Sequence, residues 1–566
     1  MQSLIMAIIG VAILLLGYFF YSKFLAKRVY QLSPDYETPA HKYRDGVDYV
    51  PANKWVLWGH HFTSVAGAAP IVGPAVAVIW GWLPAFLWVT LGTVFFAGMH
   101  DLGALWASAR HKGRSIGTLS GRYIGGSGRI LFLVVIFFLL LMVNAVFAVV
   151  IADLLISTPA AVIPTWGAIL VALLIGQAIY RYKWNLPLVS IVGVVVLYAL
   201  IILGARFPIV LPETILGMSA TAFWIVVLFL YAGVASMLPV WMLLQPRDYI
   251  NGLQLFVGLG LLYAAVAISN PTVVAPAINN NVPEGTPGIM PLLFVTVACG
   301  AISGFHGVVS SGTSSKQLNK EPDARLVGYF GAVGEGLLAL GTIIATTSGF
   351  ATLADWEETY SAFNEGGAAA FVSAGSGILN AGLAIPEGIS AAILATMAVL
   401  FAATTMDTGV RLQRFVTAEI FELFGVKLNV FMATLIVLVT GFGLAFSAGG
   451  DGRGGMIIWP LFGTTNQLLA ALTMSILAII LLRMKRPVWP VMIPLVFVFF
   501  VSLYAAIIQL GQFIAEGNWL LVVIDAIILI AAVWVVLAAA SSMVRTRNEP
   551  LDLDAEMDDI TAGTSV

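Results

Sequence analysis

Apolar runs of about 20 to 28 residues follow one another along most of the chain, separated by short polar or basic segments. Each run has the length an α-helix needs to cross roughly 30 Å of hydrocarbon, and all are too long for barrel strands, which need nearer 10 residues. The pattern predicts an all-α integral membrane protein of about 15 transmembrane helices. They fall over 3–22, 55–79, 82–108, 130–156, 161–180, 186–205, 220–244, 251–270, 289–312, 326–348, 388–410, 428–448, 456–482, 488–511 and 519–543, numbered spans 1 to 15. Two spans carry glycine and proline in mid-crossing: Gly59, Gly67, Pro70, Gly73 and Pro74 in span 2, Gly233 and Pro239 in span 7. Such interruptions are tolerated in lipid only where they line protein or a water-filled cavity. Spans 2 and 7 run in opposite directions, so five-helix units starting at each form an inverted repeat with discontinuous helices at a midplane site. The alternative is a pair of kinked structural helices.

The loops supply an independent test of this count, because basic residues collect on the cytoplasmic side of short loops. With the N-terminus outside and the C-terminus cytoplasmic, all of the 27 Lys and Arg except Arg206 and Arg453 fall inside or at inner ends. The first run lacks a preceding basic residue and is followed by Lys23, Lys27 and Arg28, the pattern of a retained first span rather than a cleaved signal peptide. The basic, Gly-rich segment from Ser115 to Gly128 is expected to form a short surface or re-entrant helix. The longest external loop, from Phe350 to Ile385, holds a Gly- and Ala-rich stretch expected in the interface. The expected organisation is 1–54 as first span and basic loop, 55–414 as transport core (spans 2–11), 415–548 as peripheral spans 12–15, and 549–566 as a disordered acidic cytoplasmic tail.

Composition agrees: 60% of residues are hydrophobic and 10% charged, against roughly 25% charged in a soluble domain. Lipid is therefore the solvent for most of the surface. A net charge of -2 gives no preference for nucleic acid, and the single cysteine, Cys299, offers neither a disulfide nor a thiolate cluster.

Ionisable side chains inside the membrane are functional candidates, since each costs about 2.5 to 3.5 kcal/mol on insertion. His60 and His61 lie in the inner part of span 2, followed by Thr63 and Ser64; neighbours on a helix point about 100° apart, so the two histidines face different surroundings. As neutral imidazoles they donate to a carboxylate, and as imidazolium they pair with it while carrying a proton; the alternative is satisfaction of backbone at an aqueous vestibule. His100 and Asp101 in span 3 serve as proton relay or as a structural brace. Asp407 and Arg411 are spaced i, i+4 in span 11, as an inner gate or a simple ion pair. His306 in span 9 precedes Ser310, Ser311 and Ser314. Asn144, Asp153, Glu335, Asn466, Gln467 and Asp525 complete the intramembrane set.

The run from Gly59 to Gly117, GHHFTSVAGAAPIVGPAVAVIWGWLPAFLWVTLGTVFFAGMHDLGALWASARHKGRSIG, resembles the signature region of the carbon starvation protein A family. FHGVVSSGTSSKQL from Phe305, ATTMDTGVRLQRF from Ala403 and WPLFGTTNQLLAALTM from Trp459 resemble the same family. The resemblance implies a bacterial cytoplasmic-membrane importer related to the amino acid, polyamine and organocation transporters, active in carbon limitation, with pyruvate and small peptides as substrates. It also implies the leucine-transporter type of fold. In that fold span 9 takes the eighth core position, where Ser310, Ser311 and Ser314 would complete a sodium site; packing of hydroxyls is the alternative. The family points to protons as the coupling ion, with sodium as the alternative.

Other classes lack their signatures. The chain has no HExxH or Walker motif, so neither an enzyme nor an ATP-driven pump is expected. A metal site from His60, His61, His100 and His306 has no local ligand spacing, and no metal or cofactor is expected. A nutrient sensor would carry an output domain, and none is visible. The expected function is secondary active import of a small carboxylate-bearing nutrient. His60, His61, Thr63, Ser64, Gly67, Tyr231, Gly233 and Ser236 would form the substrate site between the breaks of spans 2 and 7. His100, Asp101, His306, Asp407 and Arg411 would serve proton coupling or gating, and spans 2, 3, 7 and 8 would rock against the rest.

Overall fold

The computed structural model describes residues 2–46, 48–239, 242–363, 365–452 and 454–546. Arg453 and the acidic segment from Glu549 lie outside the described residues. The chain is a helical multi-pass membrane protein, with one two-residue antiparallel hairpin pairing Thr214–Ile215 with Met218–Ser219. Among the described residues twelve helices are long and apolar enough to cross a membrane. A bent pair, Lys54–Ala66 and Ala69–Trp80, passes the same test together. Two expected spans take other forms. Span 9 divides into Ile289–Thr296 and Gly304–Gly312, and span 12 is the shorter helix Val430–Ala445.

Burial separates centre from periphery. In the apolar 18-residue stretch of each helix, 94% of residues are buried in Trp459–Arg483, 89% in Glu321–Ser348 and 83% in Glu387–Leu423, against 33% in both Ser3–Val29 and Pro187–Arg206. Span 13, expected at the periphery, is thus central, packed on Gly304–Gly312 and on Gly126–Ser157. The hairpin of Pro159–Gly176 and Pro187–Arg206 lies outside.

Span 2 breaks where glycine and proline stand. Gly67 adopts φ +55, a conformation other residues rarely hold, and Pro70 opens the second half, where a missing amide costs nothing. Span 7 does not break. Ala220–Met237 runs unbroken through Gly233, whose missing side chain admits Leu438: a Cβ there would lie 2.7 Å from Leu438 Cδ1. Pro239 follows the helix end instead of interrupting it. The second interruption is in span 9, where Gly300 takes φ +97 and Ser303 is extended before helix resumes at Gly304. The two breaks lie against each other, since a Cβ on Gly73 would fall 2.5 Å from the Thr296 carbonyl oxygen.

The segment from 115 forms the short helix Ile116–Tyr123, capped by Ser115 and tied to span 9 through the Ile116 amide, which donates to Ser311 Oγ at 3.0 Å. The Gly- and Ala-rich stretch of the long loop is not interfacial. It folds as Gly367–Leu383, buried against Leu244–Ser269 and Glu387–Leu423, because Gly375 and Gly382 let Leu394 and the Ala265 backbone approach. Next to it, the Tyr360 hydroxyl donates to the Ala75 carbonyl at 2.7 Å, and Phe363 packs on Trp80. This covers the C-terminal end of span 2.

Candidate functional site

The adjacent histidines of span 2 diverge, as helix geometry requires. His60 Nδ1 donates to Asp248 Oδ2 at 2.9 Å, while His61 Nδ1 meets Ser314 Oγ at 2.8 Å. His60 opens onto a buried network, and a second buried network lies apart from both histidines' hydrogen bonds.

The first network joins four helices. Asp248 Oδ2 also lies 3.4 Å from Ser64 Oγ, and Oδ1 accepts from Arg247 Nη2 at 3.2 Å. Arg247 in turn donates from Nη1 to the Tyr231 hydroxyl at 2.8 Å and to Asp407 Oδ2. Thr63 Oγ1 donates to the Gly59 carbonyl at 2.7 Å, 3.2 Å from the Asp248 carbonyl. At the break, Thr405 Oγ1 donates to the Ser64 carbonyl at 3.3 Å, and Gly67 sits where a Cβ would meet Phe147 and Thr405. Arg247, Asp248 and Asp407 are buried. Two carboxylates thus face one guanidinium, with the His60 imidazole on one of them.

A cleft on the side bearing the basic loops reaches this network. It is lined by Asp48, His60, Lys316, Thr408, Arg411 and Phe415 among others, so two cations, one carboxylate and an imidazole share its walls.

The second network joins spans 3, 9 and 10. Asp101 Oδ1 accepts from His100 Nδ1 at 2.8 Å and Oδ2 from His306 Nδ1 at 2.7 Å. His306 Nε2 lies 3.2 Å from Glu335 Oε2. His100, Asp101, His306 and Glu335 are all buried.

Several expected residues sit elsewhere. Arg411 does not pair with Asp407. Its Nη1 donates to the Leu238 carbonyl at 3.1 Å, and Arg414 Nη1 donates to the Ser236 carbonyl at 2.7 Å. The end of Ala220–Met237 leaves carbonyls unsatisfied, and two cations there match its dipole. Ser236 itself donates to the Gly233 carbonyl; with span 7 unbroken, Gly233 and Ser236 line no break, and only Tyr231 joins the network. The three serines of span 9 also separate: Ser311 donates to the Gly307 carbonyl at 2.7 Å, Ser314 meets His61, and buried Ser310 Oγ has no hydrogen-bond partner.

Arg247 and Asp248 were missing from the sequence-based site, because a charged pair just before an apolar run reads as loop. Pro246, at the start of the same helix, was the available signal.

The family described as carbon starvation protein CstA matches residues 2–351 and 346–505. A protein of Campylobacter jejuni named peptide transporter CstA is 31% identical, with 91% of this chain and 81% of that protein covered. Escherichia coli K12 has a peptide transporter CstA at 31% identity, covering 87% of this chain and 79% of the relative. It also has a protein named pyruvate/proton symporter BtsT at 29%, covering 89% and 81%. In fold the chain is similar to a crystal structure of the Eremococcus coleocola manganese transporter, with a TM-score of 0.50 at 10% identity, covering 89% of this chain and 99% of that one. The relatives are transporters by name, and so is the chain by descent.

Proposed function

The chain belongs to the carbon starvation protein CstA family, and we propose that it imports a small carboxylate-bearing nutrient, pyruvate or a small peptide, by proton symport across a bacterial cytoplasmic membrane. The basic face is assigned to the cytoplasm, with the N-terminus outside. The observation that carries the reading is the buried set of His60, Asp248, Arg247 and Asp407, one positive charge short and reached from the cytoplasmic cleft.

The proposed scaffold is a five-plus-five inverted repeat of the leucine-transporter kind, with a hairpin inserted. The first unit comprises broken Lys54–Trp80, then Trp82–Arg110, Gly126–Ser157, Ala220–Met237 and Leu244–Ser269. The second comprises broken Ile289–Gly312, then Glu321–Ser348, Glu387–Leu423, Val430–Ala445 and Trp459–Arg483. Corresponding positions support the pairing. Each unit opens on an interrupted helix, has a short extra helix before its third member (Ile116–Tyr123, Gly367–Leu383), and has its longest helix third. Those two third helices pack on each other, and the fifth of each unit packs on the broken helix of its own unit. Pro159–Arg206, inserted after the third helix, moves the second break from span 7 to span 9. Counting the bent pair, interrupted span 9 and Val430–Ala445 as crossings, the proposed total stays at about fifteen.

In this frame the moving bundle is spans 2, 3, 9 and 10. A coupling proton must bind a group whose contacts differ between the two access states, since equal interaction in both shifts nothing. His60 with Asp248 crosses from the bundle to the scaffold. His100, Asp101, His306 and Glu335 all lie within the bundle, so they brace it. Coupling is assigned to His60, Asp248 and Asp407, with Tyr231 and Thr63 supporting them. Closure by Tyr360 and Phe363 outside, with the cleft open inside, corresponds to an inward-facing state.

A second reading, sodium coupling, draws on the Ser64 carbonyl and Thr405 hydroxyl at the break. Span 11 is the eighth core helix in this frame, the place earlier given to the serines of span 9.

Uptake of labelled pyruvate into proteoliposomes, with proton and sodium gradients imposed separately and unlabelled dipeptide as competitor, tests the reading. Proton-driven accumulation insensitive to dipeptide establishes a monocarboxylate symporter. Accumulation of labelled dipeptide instead assigns peptides, and accumulation driven only by sodium replaces the ion. No accumulation of either substrate under any gradient refutes transport.

A further inference from the structure

The network within the bundle contains a feature that bracing does not explain. Asp101 and Glu335 are two buried carboxylates whose ion-pair partners are histidines alone. His306 is fixed by its Nδ1, bound to Asp101 Oδ2 at 2.7 Å. Its Nε2 is therefore aimed at Glu335, 3.2 Å away, and at the Cys299 thiol, and the three ligand atoms lie within 4.8 Å of one another. Among the described residues, Glu335 Oε1 is buried without a hydrogen-bond partner, and buried His306 Nε2 has only its ion-pair contact with Glu335 Oε2. Buried polar atoms are normally satisfied, so this pocket lacks a partner that binds nitrogen and oxygen together.

We propose that Cys299, His306 and Glu335 form a binding site for a zinc-class divalent cation at the break of span 9. The donors are one sulfur, one imidazole nitrogen and one carboxylate oxygen, a set that suits zinc or cobalt and disfavours magnesium and calcium. Ligands at about 2.0 Å from a tetrahedral metal stand about 3.3 Å apart, which matches the His306 to Glu335 separation. The surroundings are those that metal ligands have elsewhere. A carboxylate on the far nitrogen of the histidine fixes tautomer and ring orientation, the part Asp101 plays. The Asn466 amide donates to Cys299 Sγ at 3.2 Å, supporting negative charge on sulfur. On binding, the thiol gives up its proton to solvent and a neutral His306 ligates through Nε2, so a divalent ion offsets two of the three negative charges of Asp101, Glu335 and the Cys299 thiolate. Cys299 lies in the break, His306 on the helix that follows it and Glu335 on span 10, so the ion would pin the non-helical turn to its neighbour.

Because Cys299 is the only cysteine, any cobalt–thiolate charge-transfer absorption of the full-length protein must come from this site. The protein is purified from cells grown with cobalt in place of zinc, and separately equilibrated with cobalt in detergent. The expected result is about one equivalent of bound cobalt with a thiolate band that zinc abolishes, together with a zinc-dependent rise in unfolding temperature. Cys299→Ser loses the band and Glu335→Gln binds at least tenfold more weakly, while substrate uptake by Cys299→Ser shows that the variant is folded. Absence of the band by both routes overturns the site, as does unchanged zinc stabilisation of folded Cys299→Ser and Glu335→Gln proteins.

Discussion

Replacing Asp248 by Asn separates coupling from binding. The carboxylate is buried and accepts from His60 at 2.9 Å, Arg247 at 3.2 Å and Ser64 at 3.4 Å. Asparagine fills nearly the same space with one acceptor oxygen and no charge. The variant is expected to fold, because Arg247 keeps Asp407 as partner and the buried pair becomes balanced. Arg247→Ala would instead strand two carboxylates, at about 3 to 5 kcal/mol. A hydrogen bond to an ionised group contributes about 1.5 to 3 kcal/mol, and 1.4 kcal/mol is about tenfold in an equilibrium. Without the charge, proton-driven accumulation should fall by roughly ten- to a hundredfold at a fixed imposed gradient.

Exchange of labelled external for unlabelled internal substrate needs no net proton movement, so it should continue in Asp248→Asn. The assay is the pair of rates in one proteoliposome preparation. Accumulation and exchange falling together would make Asp248 a substrate or folding residue. Unchanged accumulation would refute the assignment of the proton to this pair.

Four further outcomes follow from the geometry. Gly73→Ala places a Cβ 2.5 Å from the Thr296 carbonyl, and the overpacking should lower stability by about 1 to 3 kcal/mol in thermal unfolding and slow uptake. Arg110→Ala leaves Glu321, fully buried and bound through both oxygens at 2.5 and 2.7 Å, without its cation; a loss of about 3 to 5 kcal/mol should exceed that of Glu321→Gln. Burial holds the His111 imidazole down at about 4, from 6.5, so the unfolded chain takes up that proton first; its stabilisation is complete above pH 6.5 and lost progressively toward pH 4, by about 3 kcal/mol, a slope that His111→Asn should remove from unfolding midpoints. Tyr360→Phe deletes the bond to the Ala75 carbonyl, worth about 0.5 to 1.5 kcal/mol, and should speed labelling of a Val76→Cys reporter in a Cys299→Ser background about two- to tenfold.

The helices were legible because membrane thickness fixes their length, and the break of span 2 because Gly67 and Pro70 act locally. Gly233 misled because glycine has two uses in a membrane helix: it frees the backbone, and it lets a neighbour approach. The sequence does not distinguish them until Leu438 is seen against it. The true second break, around Gly300 and Ser303, carries no proline, and its cause is tertiary: the Thr93 hydroxyl donates to the freed Gly300 carbonyl at 2.8 Å, while Asn466 accepts from the Phe305 amide at 2.9 Å. Arg247 and Asp248 were unreadable for the same reason. Charge marks the membrane boundary in most chains, and only Asp407, 160 residues away in sequence, makes their burial affordable. Arg411 shows the converse, since its i, i+4 partner was the obvious choice and helix-end carbonyls took it instead.

In the proposed symport the proton and the substrate carboxylate would leave together on the cytoplasmic side, past the groups around the cleft. In that cycle, movement of the inner half of span 2 off the scaffold would part His60 from Asp248, which would keep Arg247 as its partner. His60 lines a cleft that also holds Arg411 and Lys316, with Asp48 as the one carboxylate among its lining residues. The two cations would draw the substrate carboxylate out of the break and toward the cleft. Neutralising both, as Arg411→Gln with Lys316→Gln, should therefore slow net uptake more than exchange, because exchange leaves the proton in place. Equal slowing of both would mean that the two cations act on the substrate alone.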